Sequence, residues 1–167
     1  MKTLYLIRHA KSGWDDLSVR DFDRTLSNKG LLDAPVMADF LVKEATERGG
    51  QPDLIISSTA KRAMMTAQIF ADAFGIAASK IVGEKEIYDA FVSNIVKLIN
   101  NLPYEANVAL MFGHNPTFTS VANWFSKETY VNDMPTCSIV RLEANVADWK
   151  GFDRDTADLT GFWYPQV

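Results

Sequence analysis

The chain contains only two histidines, His9 and His114. Each follows a run that reads as a buried strand: Leu4 to Ile7 leads into Arg8-His9, and Asn107 to Phe112 leads into Gly113-His114-Asn115. A third such run, Asp53 to Ser57, ends in Ser57-Ser58, with Arg62 one helical turn further on. Taken singly, a histidine beside a loop most often just bonds a nearby carbonyl. Two histidines and two arginines at three such ends suit an oxyanion better. Guanidinium forks match phosphate oxygens two by two. A neutral imidazole can attack phosphorus and hold the phosphoryl group covalently, splitting one hard step into two.

That chemistry needs the three run ends to lie side by side, and the pattern between them provides for this. Short apolar runs alternate with longer helical patterns, as in α/β proteins. Ser27 is placed to cap a helix with apolar positions Leu32, Val36, Met37, Phe40 and Leu41, ended by Gly49-Gly50. Thr59 is placed to cap a second helix, burying Met65, Ile69, Phe70 and Ala73 and stopping at Gly75. Lys80 to Gly83 reads as a short strand, Val92 to Leu102 as a helix halted by Pro103, and Asn115-Pro116 as a cap and first helical position. Cys137 to Leu142 reads as a further strand, with an edge strand near Thr160 to Trp163. Open α/β sheets bind ligands beyond the carboxyl ends of their strands. Parallel, adjacent strands would bring His9, Ser58, Arg62 and His114 to one spot, with helix N-termini at Thr59 and Asn115 adding backbone donors.

Bulk properties narrow the classes. At 167 residues, with 47% hydrophobic and 23% charged, the chain suits one domain over residues 1–167. Seventeen basic against twenty-one acidic residues give a net charge of −4, which opposes non-specific nucleic-acid binding, so an anion would need a locally basic pocket. The lone Cys137 excludes an intrachain disulfide and fits a reducing compartment. The apolar run at the N-terminus is too short for a signal core, and none approaches a membrane span. The expectation is a soluble cytoplasmic protein, with no nucleic-acid or membrane partner. Walker, dinucleotide and zinc spacings are absent, and Cys137 lacks the arginine spacing of a cysteine phosphatase loop.

Four segments together carry a family resemblance. Leu6-Ile7-Arg8-His9-Ala10 resembles the Arg-His-Gly signature of the histidine phosphatase superfamily, with Ala10 in the Gly position. Arg24-Thr25-Leu26-Ser27-Asn28-Lys29-Gly30 is similar to its Arg-Pro-Leu-Thr-x-x-Gly element, with Thr25 in the Pro position. Ser58 to Ala63, followed by Thr66-Ala67, resembles the Ser-x-x-x-Arg-Ala segment, and Gly113 to Pro116 resembles the second-histidine motif. The short length and the continuation Lys11-Ser12-Gly13-Trp14-Asp15 are most similar to the SixA-like branch, associated with phosphohistidine phosphatases.

The resemblance implies a phosphoglycerate mutase-like fold, a three-layer α/β/α sandwich with a mostly parallel central sheet. It implies His9 as nucleophile, Arg8 and Arg62 on the phosphoryl oxygens, Arg24 as a third cationic contact, and His114 as donor in the transition state. No cofactor and no metal are implied. The substrate would be a phosphorylated protein, with phosphohistidine the best single choice, or a small phosphorylated metabolite. A non-catalytic phosphate-binding module is the reading from another class, and the oligomeric state is open. Many superfamily members place an acid at the leaving oxygen, and Glu86 lies in that region; SixA-like members are thought to manage without a strong one. Some residues keep two readings. Arg24 could pair with Asp21 or Asp23 instead of phosphate. Glu86 could be a solvated strand-end carboxylate. Ser58 could touch phosphate or shape its turn, and Trp14 could rim the pocket or pack on a helix. Lys11 and Ser12 could line the mouth, while Phe118, Trp124 and Phe125 read as core.

Overall fold

The computed structural model describes residues 1–166. Six strands form one sheet: β1 (Lys2–Arg8), β2 (Leu54–Ser57), β3 (Val82–Gly83), β4 (Val108–Gly113), β5 (Ile139–Ala144) and β6 (Ala157–Trp163). Their order is β3-β2-β4-β1-β5-β6. β1, β2, β3 and β4 run parallel, while β5 is antiparallel to both of its neighbours.

Side chains alternate across a strand, and each face of β1 feeds a different core. Leu4 and Leu6 pack with Ile56, Met111 and Val140 under α3 (Val92–Asn100) and α4 (Thr117–Phe125). Tyr5 and Ile7 pack with Ile55, Leu110, Phe112 and Ile139 under α1 (Asn28–Glu47) and α2 (Lys61–Ala73). The result is the three-layer α/β/α sandwich. Near-continuous burial of β1 and β4 is what a strand covered on both faces requires.

The helix starts follow local chemistry, with corrections. Ser27 Oγ accepts from Gly30 N at 3.2 Å and caps α1. The buried stripe of α1 runs through Ala34, Met37, Ala38, Leu41 and Ala45; Leu32 and Val36 are exposed. Small alanines let the helix lie close on the sheet, so the core stripe is offset from the bulkiest residues. Thr59 does not cap α2. Ala60 holds the N-cap position, and Ser58 Oγ accepts from Ala60 N at 3.2 Å. α2 likewise buries Ala63, Thr66, Ala67, Phe70 and Ala71, with Met65, Ile69 and Ala73 only partly covered. α4 begins at Thr117, one residue beyond Pro116, and Asn115 Oδ1 accepts from Thr119 N at 3.2 Å. Phe118 and Phe125 are core, but Trp124 is exposed under the Arg154 guanidinium, 4.5 Å from its ring centroid. No helix among the described residues is long and apolar enough to cross a membrane.

The first turn of α1 is pinned to the loop that follows β1. Ser27 N and Oγ both donate to Lys11 O, at 2.8 and 3.1 Å. A β-carbon at Gly30 would lie 2.2 Å from Lys11 O, inside any allowed contact. Gly30→Ala should therefore cost about 1–3 kcal/mol by overpacking, despite alanine's better helix propensity. Thermal unfolding should show Tm lowered by several degrees; an unchanged or higher Tm would contradict the contact.

Candidate active site

Strand register brings the chemistry together. Ile7, Phe112 and Ser57 lie in one row across β1, β4 and β2, and Arg8 pairs with Gly113 in the next. The ladder continues past the strand ends: His9 N donates to Gly113 O and Ser58 N to Phe112 O, both at 3.0 Å. His9 and His114 thus stand with ring centroids 5.2 Å apart. Arg62, in the first turn of α2, reaches across so that its Nε lies 3.3 Å from His9 Nε2.

These side chains line one pocket of about 490 Å³. Arg8, His9, Arg62 and His114 share it with Lys11, Ser12, Trp14, Asp21, Lys29, Asn115 and Thr136. Four of the lining residues are Lys or Arg and only Asp21 is acidic, which gives this acidic protein the locally basic pocket an anion needs. Two nitrogens in this lining, Arg8 Nε and His114 Nδ1, are buried with no hydrogen-bond partner in the protein. Buried polar atoms without partners are rare, and these two sit on residues of the same pocket.

A model of the histidine phosphatase superfamily (branch 1) matches residues 4–90, a little over half of the chain. The chain belongs to that superfamily. An uncharacterised chloroplast protein of Arabidopsis thaliana is 30% identical over 157 residues, covering 89% of this chain and 69% of the relative. A candidate phosphohistidine phosphatase SixA from Agrobacterium tumefaciens is 32% identical, with a TM-score of 0.80 and 99% of each chain covered. A protein histidine phosphatase SixA complexed with tungstate shares the fold at 15% identity, with a TM-score of 0.78, covering 97% of this chain and 96% of that one. The fold is thus the phosphoglycerate mutase-like one of these SixA neighbours, and the class of activity is that of a phosphatase.

As a histidine phosphatase site, the geometry has a definite protonation pattern. His9 Nδ1 lies 2.7 Å from Ala10 O. A carbonyl can only accept, so Nδ1 carries the proton and Nε2 keeps its lone pair, facing the Arg62 Nε–H. Burial, reinforced by the Arg62 and Arg8 charges, pushes the His9 imidazole down to about 4. Burial first, then His9 and Arg62, push His114 down to about 3. Both rings are therefore neutral at pH 7. His114 Nε2 lies 2.7 Å from Ser58 Oγ, so Ser58 holds both the turn before α2 and the second imidazole.

The Arg62 anchor lies outside the family motifs. Its Nη1 donates to Asp21 O at 2.6 Å and its Nη2 to Asp21 Oδ2 at 3.0 Å. With Nε on His9, three of the five guanidinium N–H groups are engaged and two remain for a ligand. The hydroxyl of Tyr88 donates to Asp21 Oδ2 at 2.7 Å, and its ring meets His114 edge-on at 5.5 Å. The Tyr88 hydrogen bond, with Arg62, holds the Asp21 carboxyl below the usual carboxylate range. Arg8 is steadied by donating from Nη1 to Met134 O at 2.8 Å. Asn115 Nδ2 donates to the same carbonyl at 2.9 Å, and Cys137 N lies 3.1 and 3.0 Å from Arg8 O and His9 O. Because β5 is antiparallel, it starts at the site and delivers this loop there.

Two expected residues are placed elsewhere. Arg24 is 8% exposed and outside the pocket. Its guanidinium stacks 3.6 Å from the Trp14 ring centroid, and its Nε lies 3.8 Å from Asp21 Oδ1. Of its two readings, the structure shows the pairing with Asp21. Glu86 is exposed in a single 3-10 turn, Lys85–Ile87, and does not line the pocket. In that turn it is Ile87 that is buried, with Tyr88 next in the chain reaching the site. Cys137 is buried, and its thiol is pushed up to about 12 by desolvation, so it is no nucleophile at neutral pH.

The histidines should mark the pH dependence of folding. Their folded pKa values lie below the unfolded value near 6.5, so the unfolded state binds more protons between pH 6.5 and 4. Stability should fall as pH drops through that window, by roughly 2 kcal/mol per imidazole between pH 7 and 5. NMR titration should show neither ring protonating above pH 5, and saturating inorganic phosphate should raise both midpoints. A midpoint near 6.5 without phosphate would contradict the buried site. Asp21→Ala should lower kcat/KM roughly 10- to 100-fold by releasing Arg62, with Tm nearly unchanged; retained activity would remove Asp21 from the site's support.

Proposed function

We propose that the chain removes phosphoryl groups through a phosphohistidine formed on His9, and that its substrate is protein phosphohistidine. His9 Nε2 attacks phosphorus while the remaining N–H groups of Arg62 and those of Arg8 hold the equatorial oxygens. His114 donates to one of those oxygens as charge builds. The new bond is P–Nε2 of His9; the bond broken is P–N of the substrate, and its electron pair stays on the substrate ring nitrogen, which takes a proton from water. A water oxygen then attacks the phosphoryl on His9, giving inorganic phosphate and restoring the neutral imidazole.

The observation that carries the substrate choice is the character of the one carboxylate that lines the pocket. Asp21 is committed to Arg62 and Tyr88 and held ionised, so it is a poor proton donor. Glu86 is turned away. A site of this kind suits a labile P–N bond, whose leaving imidazole needs no strong acid, better than an alkyl phosphate ester. The SixA-like neighbour at 32% identity supports the same choice.

Incubation with a labile phosphodonor should yield a protein phosphorylated on His9 by mass spectrometry. His9→Ala should abolish both adduct and turnover. Phosphohistidine peptides should be hydrolysed far faster than sugar phosphates, and activity on sugar phosphates alone would overturn the substrate assignment. Binding without turnover or adduct would make the chain a phosphate-binding module. Glu86→Gln should leave both substrate classes unchanged; a selective loss on esters would restore Glu86 as an acid.

A further inference from the structure

A phosphoryl group is the size of a few water molecules, at about 30 Å³ each, and so fills a small part of the pocket of about 490 Å³. The rest of the pocket faces whatever the phosphoryl group is attached to. Trp14 is the one aromatic side chain in that lining apart from the two imidazoles. It is 60% exposed, which leaves much of a large apolar ring in contact with water.

The ring is nevertheless held. The Arg24 guanidinium covers it at 3.6 Å, and Arg24 itself is buried. Arg24 Nη1 donates to Gly13 O at 3.3 Å, and its Nε lies near Asp21 Oδ1. Gly13 N donates to Thr25 O at 2.9 Å, and Ser12 bridges to Leu26, so the chain entering Trp14 is tied to the segment around Arg24. Trp14 lines the pocket and Arg24 does not, so the cation backs the indole from outside. An indole in the pocket lining, with one face covered by a cation and much of the rest exposed, is available as a stacking surface. Exposure that would cost little on a mobile side chain has a use here, because preorganised aromatic area binds at low entropic cost.

We infer that Trp14 is a specificity residue: a platform, backed by Arg24, on which a planar ring bonded to the phosphoryl group stacks, the imidazole of phosphohistidine above all. This rests on the phosphohistidine reading for the identity of the ring. It does not rest on it for the platform, which any planar leaving group of similar size would use. The stack would act on the leaving ring only, leaving the nucleophile, the oxygen contacts and the attack geometry untouched.

The test compares donors that share a labile phosphoryl group and differ in the ring. Wild type, Trp14→Leu and Trp14→Phe are assayed on phosphohistidine and 4-nitrophenyl phosphate, which carry a ring, and on phosphoramidate and acetyl phosphate, which do not. Trp14→Leu should lose roughly three- to tenfold in kcat/KM on the two ring substrates and little on the ringless ones. Trp14→Phe should recover most of the loss, and circular dichroism melting should show all three folded alike. Equal losses on all four donors, or none on the ring substrates, would overturn the platform even if phosphohistidine is turned over well. Wild type failing on phosphohistidine while hydrolysing the other donors would overturn the substrate reading. A ring-selective loss on 4-nitrophenyl phosphate would then still support the platform.

Discussion

Two guanidinium groups and two imidazoles brought within a few ångströms repel one another as soon as either ring is protonated, and burial multiplies that repulsion. The whole site is a solution to this constraint. Both imidazoles are kept neutral, and Arg62 is held by a counter-charge that sits at the pocket wall. Asp21 does this with its backbone carbonyl and its carboxylate together. Arg62 in turn offers Nε–H to the lone pair of His9, whose other nitrogen is fixed by Ala10 O. The chain Ala10–His9–Arg62–Asp21–Tyr88 therefore sets tautomer, orientation and charge in one run of hydrogen bonds. An arriving phosphate dianion would reverse the electrostatics, favouring protonated imidazole where the empty pocket disfavours it. A site tuned in this way is neutral enough to fold and becomes cationic where charge develops.

The sheet makes this possible at little cost. Parallel pairing of β1, β4 and β2 in register puts their ends level, so a histidine one residue past β1 and another one residue past β4 meet without further loop design. That much was legible from apolar runs ending in Arg-His, Gly-His and Ser-Ser, because a strand fixes where its last residue points. The α/β class followed from the alternation of strand and helix patterns, and the three-layer arrangement from the family resemblance. The phase of α1 and α2 did not. Period-3.6 reading weights bulky residues, whereas these helices approach the sheet through alanines, leaving Leu32 and Val36 in solvent. Sequence pattern reports hydrophobicity; close approach depends on size.

The supports of the site were less legible than its principals. Asp21, Tyr88 and the loop from Asp133 to Cys137 come from segments with no strand end or strong period to fix them. Asp21 was visible only as a partner for Arg24, and Tyr88 only as a neighbour of Glu86. Its nearness in sequence was nonetheless informative: the segment after β3 does reach the site's residues Asp21 and His114, but through the tyrosine, since the turn buries Ile87 and leaves Glu86 exposed. A one-turn segment allows one side chain in three or so to face the site, and spacing alone does not say which. Likewise the motif that suggested Arg24 as a phosphate ligand reported a real structural unit, in which the arginine stacks on Trp14, a residue of the pocket that Arg8 and Arg62 also line.

The same electrostatic arrangement bears on which bonds the site can break. A general acid must stay protonated near neutral pH, which for a carboxyl requires burial away from cations or a neighbouring anion. The pocket supplies the opposite. Among the described residues the carboxylate that lines the pocket is Asp21, and the Tyr88 hydrogen bond, with Arg62, holds its pKa down. Raising that pKa would mean loosening its pairing with Arg62, and with it the guanidinium that faces His9. Positioning the nucleophile and providing a carboxylic acid are thus competing demands on one small volume. In the proposed reading the first is met, by Asp21 held ionised, and the leaving group would depart on its own lability. The proposed phosphohistidine substrate, with its weak P–N bond, would fit that division of labour better than an alkyl ester.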